Sequence, residues 1–266
     1  MSLVMFRRAL KDQRWTVVWY ALGLFLYGVM ILSFYPSIGR NAELMQQYLK
    51  SLPEAMLRAF GIADMGTLPG FVGAEFLNFM WPLIAAVFVI LTGASLVAQE
   101  VERGTAELWL SVPESRGRLL AAKLVALLVG IVALVLATIA ALVVGAALVG
   151  ESVTGRGLLA MGLVLLAFAV AVGGYAALFS AFASDRGRPA GLAAALTLAS
   201  YLAWVIGGIN DRWGWLKRLS IFTAYQPQQA LARGEVPAVG TLALLALGLA
   251  CAASAIVVFQ RRDVLV

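Results

Sequence analysis

Read for polarity alone, the chain alternates between long apolar runs and shorter segments that hold all of its charges. No Asp, Glu, Lys or Arg occurs from Trp15 to Gly39, Phe76 to Gln99, Leu124 to Gly150, Gly157 to Ser184, Pro189 to Asn210 or Val236 to Gln260. Each run exceeds the roughly 20 residues with which an α-helix, rising about 1.5 Å per residue, crosses a hydrocarbon core. Runs such as Leu124–Leu136 are apolar on every face, whereas the strands of a membrane barrel are about ten residues long and alternate in polarity.

The pattern therefore predicts an all-α integral membrane protein, a single transmembrane domain over residues 1–266, with spans over about 15–36, 76–98, 122–149, 158–183, 189–209 and 238–259. Between them lie an outer segment (37–75), a charged loop (99–121) and a second outer loop (210–237). Within the outer segment, Leu44, Met45, Tyr48, Leu49 and Leu52 predict an amphipathic helix in Asn41–Gly61, as a cover for the outer mouth or a helix resting on headgroups. Arg7, Arg8, Lys11 and Arg14 before an apolar run also describe a secretory signal. Here the run is longer than a signal's core of about 7–15 residues and lacks a small-x-small cleavage site, so it is expected to stay as the first span.

Composition sharpens the picture. The 266 residues are 62% hydrophobic and 13% charged, against about 45–50% and 25% in soluble domains. A soluble chain of this size could not bury so many helices that are apolar all round. With the N-terminus inside, the inner segments collect Arg7, Arg8, Lys11, Arg14, Arg103, Arg116, Arg118, Lys123, Arg186, Arg188, Arg261 and Arg262, more basic residues than the outer ones hold. Both termini are thus expected to be cytoplasmic. Trp15, Trp19, Trp213 and Trp215 suit interfacial anchoring. The net charge of +6 is scattered among short loops, so it reads as topology and contact with lipids, with no nucleic-acid surface.

Several chemistries fall away. No histidine is present, which removes imidazole acid–base catalysis, His-based triads and most zinc sites; lone Cys251 cannot form an intrachain disulfide or a cysteine cluster. The spans lack the acidic, Arg or His residues that proton-coupled transporters usually keep. The nearest polar groups are Asn78, Thr92, Ser95, Thr138, Ser180, Thr197 and Ser200, and no candidate nucleophile has a visible activating base. Small residues recur every fourth position at Gly191, Ala195, Ala199, Ala203 and Gly207, which predicts a close helix-packing or subunit interface on that stripe.

The loop from Gln99 to Lys123 reads QEVERGTAELWLSVPESRGRLLAAK. Gly104 can end a helix continuing from the second span. Thr105 can cap a short amphipathic helix carrying Glu107, Pro113 stops it, and Ser115 can cap the next. The pattern of Glu100, Glu102, Arg103, Gly104, Thr105, Glu107, Leu108, Leu110, Ser111, Pro113, Ser115, Arg116 and Lys123 resembles the signature of the ABC-2 type permeases, the membrane subunits of ATP-binding-cassette exporters. Trp109 departs from the aliphatic residue usual there. Weaker likenesses are the Leu52–Gly61 and Ser220–Phe222 stretches and the terminal Arg261-Arg262-Asp263.

The resemblance implies a six-helix bundle of the type V exporter kind, and a coupling helix that docks on a separate ATP-binding subunit. Glu100, Glu102 and Glu107 would be charged contacts, Leu108, Trp109 and Leu110 packing contacts, with Arg103, Gly104, Thr105, Pro113 and Arg116 completing the docking site. It also implies a second membrane subunit, identical or homologous, with ATP and magnesium bound on the ATPase. The chain has no Gly-Lys pair and so no phosphate loop; no cofactor, metal or catalytic residue is expected in it. The uncharged spans point to a hydrophobic or amphipathic cargo. A non-transporting polytopic protein, such as an intramembrane enzyme or assembly scaffold, and a secondary transporter or channel are the alternative readings.

Overall fold

A computed structural model describes residues 3–38, 66–102, 104, 115–209 and 211–262. Among them all regular structure is helical, and six stretches are long and apolar enough to cross a membrane. The first is α1 (Leu3–Ile38), which begins well ahead of the apolar run at Trp15, so its first turns are a polar extension of the span. The third to sixth spans are each one helix: α5 (Arg116–Leu148), α6 (Gly155–Phe182), α7 (Gly187–Ile209) and α11 (Ala238–Arg261).

The second span differs from the uninterrupted helix expected over 76–98. It starts earlier as α2 (Leu68–Val72), capped by the Thr67 hydroxyl, which accepts from Gly70 N, and passes through a π-turn, Gly73–Leu77. It breaks at Asn78–Phe79, resumes as α3 (Met80–Ser95), breaks again at Leu96–Val97, and ends as α4 (Ala98–Glu102). Pro82 explains the first break in part, because it has no N–H to give the Asn78 carbonyl. The lengthened span includes exposed Glu75, so the second span is not free of ionisable residues.

Between the fifth and sixth spans the chain forms α8 (Trp215–Leu219), α9 (Ile221–Ala224) and α10 (Pro227–Arg233), short helices folded back onto the bundle. Gln13 of α1 donates to the Ala126 carbonyl and Arg262 to that of Ala183, so both chain ends lie on one face. This terminal face also holds the breaks after Ser95 and Phe182. The far face holds α2 and α8 to α10.

Helix α6 is the hub. Of its apolar window 78% is buried, against 17% for α1, α7 and α11, and it packs against four of the five other spans, α3, α5, α7 and α11, as well as α10. In lipid, helices gain nothing from hiding apolar surface and instead associate through close packing. A Cβ on Gly174 would lie 2.4 Å from the Gly248 carbonyl oxygen, and one on Gly248 2.5 Å from that of Val170, so α6 and α11 touch backbone to backbone. Helices α1 and α5 meet where Ala141 covers Gly28 and Leu32 covers Gly145.

The stripe on α7 is not the face it packs with inside this chain. Gly191, Ala195 and Ala199 are exposed, Ala203 is half-buried, and only Gly207 is buried. The inward face carries Ala193, Thr197 and Ser200. Thr197 is hydrogen-bonded to Tyr175, and Ser200 accepts from Ile221 N and pairs with Ser220. Hydroxyls that need partners in a dry interior, rather than the spacing of small residues, choose that face.

Candidate functional site

The charged loop is approached through the break after Ser95. The Ser95 hydroxyl bonds back to the Thr92 carbonyl (2.7 Å), a local bond that loosens the last turn of α3. In a continuous helix Ala98 N would donate to Ala94 O. Here the Ser180 hydroxyl of α6 is inserted between them, accepting from Val97 N and Ala98 N (3.1 Å each) and donating to Ala94 O (2.7 Å). Its one proton and both lone pairs are thereby used.

The other side of the break is held by α5. Lys123, buried at its start, donates to the Leu96 carbonyl (2.7 Å) and to Glu100 Oε1 (3.0 Å). Glu102 in turn accepts the Arg186 amide at the start of the fifth span (3.1 Å). Gly104 ends the segment with φ +64°, its N–H donating to Val101 O (3.1 Å). That left-handed turn is where a glycine is needed.

The rest of the terminal face is laced in the same way. Arg262 donates to the Ala181 and Ala183 carbonyls (3.0 and 2.8 Å) and to the Ser184 hydroxyl, capping α6. Arg116 donates to the Arg262 carbonyl, which ties the start of α5 to the end of α11. Ser115 occupies the cap position of α5, but its hydroxyl makes no capping bond.

The docking residues expected from the sequence therefore divide. Glu100, Glu102 and Arg116 are turned to the bundle, where they staple the ends of the loop, and Gly104 terminates the helix leading into it. Arg103, Thr105, Glu107, Leu108, Trp109, Leu110 and Pro113 lie outside the described residues, as does Asn41–Gly61. Ser180 and Arg262 were not foreseen as joint residues. The signal available for each was slight: a hydroxyl near the end of an apolar run, and a basic pair after the last.

At the far face, Tyr225 donates to the Leu77 carbonyl (2.7 Å), a group freed near the first break, stacks on Trp81 and packs tilted against Phe168. Asn78 donates to Gln228 Oε1 (2.9 Å), whose side chain fills the place a Cβ on Gly73 would take. A cavity of about 590 Å³ opens there, beside Trp204, Tyr225 and Gln226. An apolar groove of about 250 Å³ runs between α3 and α7 along Leu83, Val87, Leu198 and Tyr201. Among the described residues no three acidic or cysteine side chains gather as a metal site.

An all-helical bundle with six candidate spans, whose second span breaks just ahead of a charged loop, defines a multi-pass membrane protein. The chain belongs to the ABC-2 transporter family: the family model described as "ABC-2 family transporter protein" matches residues 6–264. It is a permease of an ABC transporter, a membrane transport component that works with an ATP-binding subunit and is not itself an enzyme. Comparison with curated proteins finds no match.

Proposed function

We propose that the chain is the permease of an ATP-driven exporter, seated in the inner membrane of a bacterium or archaeon with both termini in the cytoplasm. A separate ATP-binding subunit, carrying ATP and magnesium, grips the loop 99–121. The observation that carries this reading is the stitched joint at Leu96–Val97: α4 leads into the loop, and its foot is tied to α5 by Lys123 and to α6 by Ser180. A push on the loop is thus delivered to two further spans instead of being lost in a slack tether.

In this reading Glu107, Leu108, Trp109 and Leu110 make the docking contacts, while Glu100 and Glu102 transmit the motion. The exposed Gly191–Ala199 stripe is available for a second permease subunit, identical or homologous. The apolar groove between α3 and α7 favours a hydrophobic or amphipathic cargo such as a lipid, antibiotic or peptide.

The test is co-purification with the ATP-binding protein encoded beside this chain, with its ATPase turnover and cargo movement measured in vesicles. Glu107→Arg and Trp109→Ala together are expected to abolish association. Lys123→Met is expected to leave association intact while ATPase activity no longer drives transport. Undiminished association in the loop variant would remove the loop from the docking role.

A further inference from the structure

Next to the joint, a cleft of about 580 Å³ opens between α1 and the second span. One wall carries Arg8, Asp12 and Thr16; the facing wall carries Gln99, Ser95 and Leu91. Each wall spans eight residues from rim to depth, the first on the unbroken α1 and the second across the break at Leu96–Val97. Polarity falls with depth on both, from charges and an amide at the rim, through hydroxyls, to Leu91, which is 40% exposed. Trp15, exposed beside Thr16, marks the level at which indole rings sit among lipid headgroups. The cleft is therefore a polar notch at headgroup depth, open to acyl chains at its lower end.

Its charges have both signs. Arg8 and Arg186 lie exposed at the rim, with Asp12 between α1's basic residues and Glu100 at the back wall. Lys123 already serves the Leu96 carbonyl and Glu100. A simple anion in this notch would meet Asp12 and Glu100, and a simple cation would meet Arg8 and Arg186. A zwitterion meets neither penalty. Among the described residues no aromatic ring of the kind that holds a quaternary ammonium lines the cleft, whereas the Asp12 carboxylate suits the three N–H donors of a primary ammonium.

We propose that this cleft binds one phospholipid of the adjoining leaflet whose headgroup joins a phosphate to a primary ammonium. Arg8 and Arg186 hold the phosphate, Asp12 holds the ammonium, and the acyl chains leave along Leu91. This assignment is independent of what the chain transports.

The experiment is native mass spectrometry of the full chain released from micelles containing equal amounts of dioleoyl phosphatidylethanolamine, phosphatidylcholine and phosphatidylglycerol. The ethanolamine lipid is expected to be retained several-fold over both others. Asp12→Asn should erase its advantage over the choline lipid, and Arg8→Gln with Arg186→Gln should lower its retention several-fold. These side chains are exposed, so the variants should keep the wild-type melting temperature. Arg118→Gln, an exposed charge outside the cleft, should change nothing. Equal retention of the three lipids, preference for the glycerol lipid, an ethanolamine preference that survives Asp12→Asn, or an equal loss in Arg118→Gln would each overturn the assignment.

Discussion

The Ser180 hydroxyl takes the Val97 amide that the second span leaves unpaired where its helix breaks, at 3.1 Å. The same oxygen stands between Ala94 O and Ala98 N, in place of the bond that would have kept α3 and α4 one helix. Insertion of a side chain into the helical ladder is a recognised cause of a sharp kink. This one comes from a helix more than eighty residues away in sequence.

Replacing Ser180 by Ala should orphan two buried amides, at a cost of about 1–3 kcal/mol. The expected outcome is a lower melting temperature in detergent together with faster hydrogen exchange at Val97 and Ala98. An unchanged midpoint with a protected Ala98 amide would mean that α3 and α4 have fused, and that Ser180 does not build the joint.

Lys123 and Glu100 should behave as a coupled pair. Removing one partner of a buried pair costs roughly 3–5 kcal/mol, and the quarter exposure of Glu100 moves the expectation to the lower end or below. Lys123→Met with Glu100→Gln should recover part of the loss caused by Lys123→Met alone. A double-mutant cycle read by chemical denaturation would show this as a non-additive term; strict additivity counts against the pairing.

Two glycines should respond oppositely to one methyl group. Gly174→Ala would push a Cβ to 2.4 Å from the Gly248 backbone, and neither helix has a flexible side chain that could yield. Loss of monodisperse protein on size exclusion is expected. Gly191 has no atom within 4 Å of the same position, so Gly191→Ala should leave the monomer's fold intact and add up to about 1 kcal/mol through helix propensity. Equal behaviour of the two would contradict the packing of α6 on α11.

Tyr225→Phe should keep the ring contacts with Trp81 and Phe168 and lose only the bond to the Leu77 carbonyl. The expected loss is about 0.5–1.5 kcal/mol, or somewhat more if the carbonyl finds no water. Thermal melting compared with Tyr225→Leu, which removes the ring as well, separates the two contributions; equal losses would assign nothing to the hydroxyl.

The number of spans was legible because crossing a bilayer depends on a local sum: enough consecutive apolar residues, each able to satisfy its backbone within its own helix. Gly104 was legible for a similar reason, since a left-handed turn is a property of one residue. The motif likewise marked Glu100, Glu102, Arg116 and Lys123 as a group. It did not reveal that the first three are tied back to the bundle, because a carboxylate or guanidinium of given spacing serves equally as a contact for a partner or as a staple to a neighbouring helix.

By itself, then, the sequence determined that this protein is a six-span helical membrane protein with a charged loop after its second span. Those features follow from how water and lipid sort side chains along a single segment. Only the tertiary structure decided where the second span breaks and which face of α7 turns inward. It also decided which residues hold the loop to the bundle. Each of these turns on a polar group finding a partner in a dry interior, and the partners, Ser180 for Val97, Lys123 for Leu96 and Tyr175 for Thr197, come from other helices.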